Sequence, residues 1–149
     1  MQKFKTINRW IIILVLVSSF LGFADATYLS VLHFNNQVPP CSILQGCEKV
    51  TSSQYSVIFG VPLALLGAVY YLMLFFLSFA FFNNGKPKLM LIAAVISVFG
   101  FISSLFLIYL QMAVIHSLCP YCMFSAFTST VIFVSLTSIF FKKTESPPL

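Results

Sequence analysis

Charge is what this chain has least of. Only 7% of its 149 residues are Asp, Glu, Lys or Arg, whereas soluble proteins carry about 25%, and 60% are apolar. That scarcity excludes a water-facing globular surface and assigns the chain to a bilayer. Eight Lys and Arg against three acidic residues give a net charge of +5. The basic residues form no continuous face, however, and fall in short clusters beside apolar runs, which excludes a nucleic-acid surface. Strand-like alternation is missing as well, which excludes a membrane barrel. No internal repeat, composition shift or fused soluble module divides 1–149, which reads as one domain.

What the sequence has instead is long apolar runs. A hydrocarbon core of about 30 Å needs roughly 20 helical residues to cross it, and four stretches qualify, at about 10–32, 57–82, 89–110 and 122–141. Backbone polar groups in lipid must be satisfied within their own segment, so the expected fold is all-α: an integral membrane four-helix bundle. Lys3, Lys5 and Arg9 precede the first run, Lys86 and Lys88 lie between the second and third, and Lys142 and Lys143 follow the fourth. By the positive-inside rule these regions, and with them both termini, are cytoplasmic. The loop from about His33 to Ser56, which holds only Lys49 beside Glu48, is then extracytoplasmic. The basic start and Ala24-Asp25-Ala26 also fit a cleavable signal, but apolar character continues through Tyr28, Leu29, Val31 and Leu32, which favours a span.

Finer features follow from local chemistry. Asn83, Asn84, Gly85 and Pro87 mark the inner turn, and the tail with Ser146, Pro147 and Pro148 is expected to fray. Gly60, Ala64 and Ala68 form a small-residue seam on the second helix, and Ser97, Gly100 and Ser104 one on the third, both read as packing. Asp25, in the outer third of the first helix, is a candidate for proton delivery, although its depth favours a residue reaching the interface. His116 reads as an interfacial histidine.

The four cysteines come as two pairs, Cys41 with Cys47 and Cys119 with Cys122. Both pairs fall on the extracytoplasmic side of the expected topology. Cys119-Pro120-Tyr121-Cys122 is a CxxC that closes a small, readily reduced disulfide, and Pro120 ends the third helix at Cys119. A fourth helix starting near Cys122 would favour a thiolate there through its dipole. Spacing alone leaves three uses open: a thiol-disulfide relay, two structural bridges, or a metal site. The five-residue gap between Cys41 and Cys47, the flexible Ser42 to Gly46 stretch, is loose for a metal site, and the setting favours a relay, because a membrane helix end gives a thiolate direct access to a lipid-soluble electron acceptor. The non-enzymatic alternative is a membrane scaffold or metal-binding protein with structural cysteines.

Cys41, then CEKVTSSQYSVIFGVPLALLG from Cys47 to Gly67, then CPYC from Cys119, closely resembles the bacterial branch of the vitamin K epoxide reductase family. The resemblance implies a membrane thiol oxidoreductase of the bacterial inner membrane, with no metal and with a quinone, ubiquinone or menaquinone, as electron acceptor. Cys41 would form the mixed disulfide with a thioredoxin-like partner, Cys47 would resolve it and pass electrons to Cys119, and Cys122 would deliver them to quinone. Some members carry the thioredoxin domain fused; without it here, the partner is expected in trans. Ser53, Ser56 and Phe59 would supply donors and a wall to the quinone pocket, with Ser56 equally suited to cap the second helix. Animal members have Asn at the position of Ser56 and Tyr where this chain has Ala126, which argues against vitamin K epoxide as substrate.

Overall fold

A computed structural model describes residues 2–41 and 46–145, with side chains over 9–41 and 46–142. Most of the Ser42 to Gly46 stretch, the side chains of Lys3, Lys5 and Lys143, and the tail with Ser146, Pro147 and Pro148 lie outside the described residues. Helix α1 (Gln2–Phe34) leads into an outer connection holding a short helix, α2 (Cys47–Thr51), and a 3-10 turn at Gln54–Ser56. Strands β1 (Val57–Ile58) and β2 (Val61–Pro62) then form a minimal antiparallel hairpin. Helices α3 (Leu63–Asn84), α4 (Pro87–Tyr109) and α5 (Pro120–Glu145) complete the chain. A π-helical turn, Leu110–Ile115, extends α4. Among the described residues, four helical segments are long and apolar enough to cross a membrane: Arg9–Phe34, Leu63–Asn84, Pro87–Ile115 and Pro120–Lys142.

The four long helices form the expected membrane bundle, α1 and α4 each packing on both α3 and α5. Its centre is Val15, Ala26, Ala68, Tyr71, Leu74, Ala93, Ile132 and Leu136, with a second cluster of Ile12, Met90 and Ile139 toward the other end. Large apolar side chains such as Phe20, Phe76, Phe106 and Phe127 point outward, as lipid permits. Several hydroxyls in the spans are satisfied locally: Ser19, Ser30, Thr130 and Ser138 each donate to the carbonyl four residues back. Helix α1 runs unbroken through the Ala24 to Ala26 stretch, and Ala26 is buried in the core.

The second span starts six residues later than its hydropathy implies. Pro62 disfavours helical backbone at Val61, and Phe59 and Gly60 take left-handed φ angles of 52° and 81°, so 57–62 fold as a hairpin. Ser56 therefore caps no long helix, and Gly60 belongs to a turn with open space around it rather than to a packing seam. The other seam does bring backbone close to a ring: a Cβ on Gly100 would overlap the Tyr70 hydroxyl. At the inner turn, Gly85 closes α3 in the left-handed conformation (φ 63°), its N–H donating to Phe81 O, and Pro87 opens α4.

Candidate functional site

All four cysteines gather at one end of the bundle. At the opposite end stand Arg9, whose guanidinium lies 5.6 Å from the centre of the Phe82 ring, and the α3–α4 turn with Lys86 and Lys88. Cys41 and Cys47 form a disulfide across a Cα separation of 6.1 Å, while Cys119 and Cys122 are free thiols. Cys47 opens α2 and Cys119 immediately precedes α5; both are fully buried, and their sulfurs lie 3.4 Å apart. What lets them meet is Gly46. A Cβ there would stand 2.5 Å from Leu118 O and 2.8 Å from Leu118 N, so only glycine lets the outer connection lie against 117–118.

The third span ends before Pro120: the π-helical turn stops at Ile115, and His116 takes a left-handed conformation (φ 53°). The backbone, rather than the imidazole, is what His116 contributes here. Because α5 begins at Pro120, the residue before the helix is Cys119, and the helix-end stabilisation expected for Cys122 falls on Cys119 instead. The Cys122 thiol donates to the Cys119 sulfur, and the Cys122 and Tyr121 N–H groups add to this; together they outweigh burial and bring the Cys119 thiol down to about 6. The sign is that of a depressed acid: thiolate predominates above about pH 6 and is lost below it. Thiolate ultraviolet absorbance, taken as the difference from a Cys119→Ser variant, is expected to titrate near pH 6, with nucleophilic reactivity falling about tenfold per unit below that. A midpoint near 9 would contradict the geometry.

Beneath the cysteines lies a cavity of about 640 Å³, within the range of small-molecule sites. Its walls are mostly apolar, including Leu29, Leu66, Phe99 and Leu107. Its polar lining includes Asp25 of α1, Tyr71 of α3, Gln111, Ser125 and Cys122. Tyr71 is held by α5, its hydroxyl 2.5 Å from Ser125 O and 3.0 Å from Thr128 Oγ1. Asp25 turns into the cavity, and its Oδ2 is buried with no hydrogen-bond partner. It thus occupies the space between helices rather than the interface its depth suggested. A large apolar chamber with an orphaned polar atom and a thiol in its wall fits the head group of a lipid-soluble carbonyl compound such as a quinone.

The expected quinone residues separate. Ser53 and Ser56 line the cavity, but their hydroxyls donate to Val50 O and Ser53 O, at 2.8 and 2.7 Å, so neither proton is free. Phe59 sits at the tip of the hairpin, fully exposed and outside the cavity lining. Gln111 was missed by the sequence reading. It is 3% exposed, and its Oε1 accepts from Cys119 N–H at 3.2 Å. The available signal was a lone amide side chain in an apolar run, eight residues before the CxxC. Among the described residues, no three His, Cys, Asp or Glu side chains converge as metal ligands.

Among curated proteins none matches the chain. The profile of the Vitamin K epoxide reductase family matches residues 13–137, a stretch that takes in all four cysteines and nearly all of the four spans. On that match the chain belongs to the Vitamin K epoxide reductase family of membrane thiol oxidoreductases.

Proposed function

We propose that this protein reoxidises the active-site dithiol of a thioredoxin-like partner and passes the electrons to a quinone. The observation that carries this reading is the 3.4 Å approach of Cys47 to Cys119 beside a formed Cys41–Cys47 disulfide. Closing that gap to the roughly 2.05 Å of a disulfide bond needs little more than side-chain rotation. The clustering of basic residues at the end away from the cysteines supports a bacterial cytoplasmic-membrane topology with both termini inside and the relay outside.

In this mechanism a partner thiolate attacks Cys41, forms a mixed disulfide and releases Cys47. The partner's second thiolate then displaces Cys41, so the partner leaves oxidised and both loop cysteines are reduced. Cys47 attacks Cys119 in its disulfide with Cys122, and Cys122 departs as a thiolate. Cys41 next attacks Cys47, restoring the Cys41–Cys47 disulfide and freeing Cys119. The arrangement described above, one disulfide and two thiols, corresponds to this last state. Quinone, when bound, takes up the two electrons and two protons released as Cys119 and Cys122 rejoin. Asp25 Oδ2 supports this reading as the group in the cavity wall able to hold one of those protons. Ser53 and Ser56 contribute lone pairs to the same cavity, and Tyr71 holds α3 to α5 beside it.

The test is quinone-dependent consumption of dithiothreitol by the purified protein in detergent, with a soluble ubiquinone analogue and menadione as acceptors. One quinone should be reduced per dithiol oxidised, and Cys119→Ser or Cys122→Ser should lower the rate about a thousandfold or more. Cysteines that stay inert toward both reagents would instead mark them as structural.

A further inference from the structure

Gln111 stands against the CxxC from outside it. Its Oε1 accepts the Cys119 N–H at 3.2 Å, and its side chain lines the same cavity as Cys122. Since Oε1 is engaged with Cys119, the group available to Cys122 is the amide NH2, a donor. The local backbone is built around this residue. Leu110–Ile115 is π-helical, a geometry that recurs at functional sites because it redirects one side chain out of the helical register. The Gln111 carbonyl also accepts Ser117 N–H at 3.0 Å, which fastens the turn to the segment leading into Cys119. A buried amide in a membrane interior has few alternatives, so its orientation is set.

We infer that Gln111 is a positioning residue for the relay, its NH2 receiving the leaving sulfur of Cys122 while its carbonyl holds the Cys119 backbone for attack by Cys47. The inference rests on the proposed direction of electron flow. In the step concerned, the Cys47–Cys119 bond forms and the Cys119–Cys122 bond breaks, with the electron pair departing on the Cys122 sulfur. Nothing else is oxidised or reduced in that step. A thiolate released into an apolar cavity is costly unless a donor meets it, and Gln111 is a neutral donor in the wall of the same cavity. Asp25 lines the same cavity, but it is the group assigned there to take up a proton, which leaves the neutral Gln111 amide as the donor for the departing sulfur.

The experiment needs no quinone. Protein oxidised at Cys119–Cys122 and selectively reduced at Cys41–Cys47 is followed through a single turnover of internal exchange, quenched by acid and alkylation. Gln111→Met, close in volume but with neither donor nor acceptor at its end, is expected to slow exchange about 10- to 100-fold. Gln111→Glu separates the two roles. Its carboxyl accepts from Cys119 N–H in either protonation state but donates to Cys122 only when protonated. Lys49 and His116 on one side of Gln111, and Cys47, Cys119, Cys122, Asp25, Tyr70, Tyr71 and Tyr121 around the site, are the same in parent and variant, so the ratio of the two rates isolates the new carboxyl. That ratio should fall about tenfold as pH rises through the carboxyl's titration. A ratio flat with pH and near one would mean that Gln111 only anchors the backbone, overturning the inference. If Gln111→Met fails to assemble, the Gln111→Glu profile still decides. Absence of internal exchange in the parent protein would instead refute the relay itself, so the two failures are distinguishable.

Discussion

Replacing Cys122 by Ser should convert the relay into a stable internal cross-link, with Cys47 joined to Cys119 and Cys41 left as a free thiol. The geometry leads there directly. Cys119 lies 3.4 Å from the Cys47 sulfur, which is bonded to Cys41, and its thiol is brought down to about 6. At neutral pH it is therefore a thiolate already in van der Waals contact with an electrophilic sulfur. Attack forms Cys47–Cys119 and expels Cys41. In the parent protein Cys122 can resolve this link by attacking Cys119, which forms Cys119–Cys122 and releases Cys47 beside the free Cys41. With serine at 122 that path is gone, and only Cys41 can undo the link, so alkylating Cys41 makes it permanent. The serine hydroxyl keeps a donor beside Cys119, which preserves most of the thiolate character. Non-reducing proteolysis with mass spectrometry should find the Cys47–Cys119 peptide as the major species. Recovery of intact Cys41–Cys47 with unmodified Cys119, after incubation at pH 7 with an alkylating agent, would show that the two sulfurs do not exchange.

The second large effect belongs to Gly46. Its missing side chain is what permits the outer connection to lie against the Leu118 backbone, since a Cβ would fall 2.5 Å from Leu118 O and 3.0 Å from Ser117 Cβ. Backbone on the far side cannot give way as a flexible side chain would, so Gly46→Val must lift Cys47 away from Cys119. A displacement of about 1 Å between reacting groups costs on the order of 100-fold in rate. In the Cys122→Ser background, the added Gly46→Val change is therefore expected to slow formation of the Cys47–Cys119 link about 100-fold. The spans pack through Tyr71, Leu74 and Ile132, far along the chain from residue 46, so thermal unfolding should move little. An unchanged rate would mean that the loop reaches Cys119 by some other path. The Gln111 variants act on the same exchange from the opposite side, through the sulfur that leaves rather than the one that attacks.

The sequence by itself determined the membrane class, the number of spans, the pairing of the cysteines by spacing, and the family. Each of these is local or additive: a span is read from some twenty consecutive side chains, and a CxxC from four. Its errors lay where two local signals competed. Hydropathy carried the second helix back to residue 57, while Pro62 and the Phe59-Gly60 turn ended it at Leu63. Pro120 was read as closing the third helix when it opens α5, which moved the helix-end effect from Cys122 to Cys119. The resemblance already implied that Cys47 passes electrons to Cys119, and the tertiary structure added the 3.4 Å approach of their sulfurs across 72 residues of chain; it alone decided that Asp25 faces a cavity and that Gln111 holds the Cys119 backbone beside Cys122. The physical reason is the same in each case. These contacts depend on how four helices rotate and abut, and that is set by the sum of many packing interactions, no single stretch of which carries the answer.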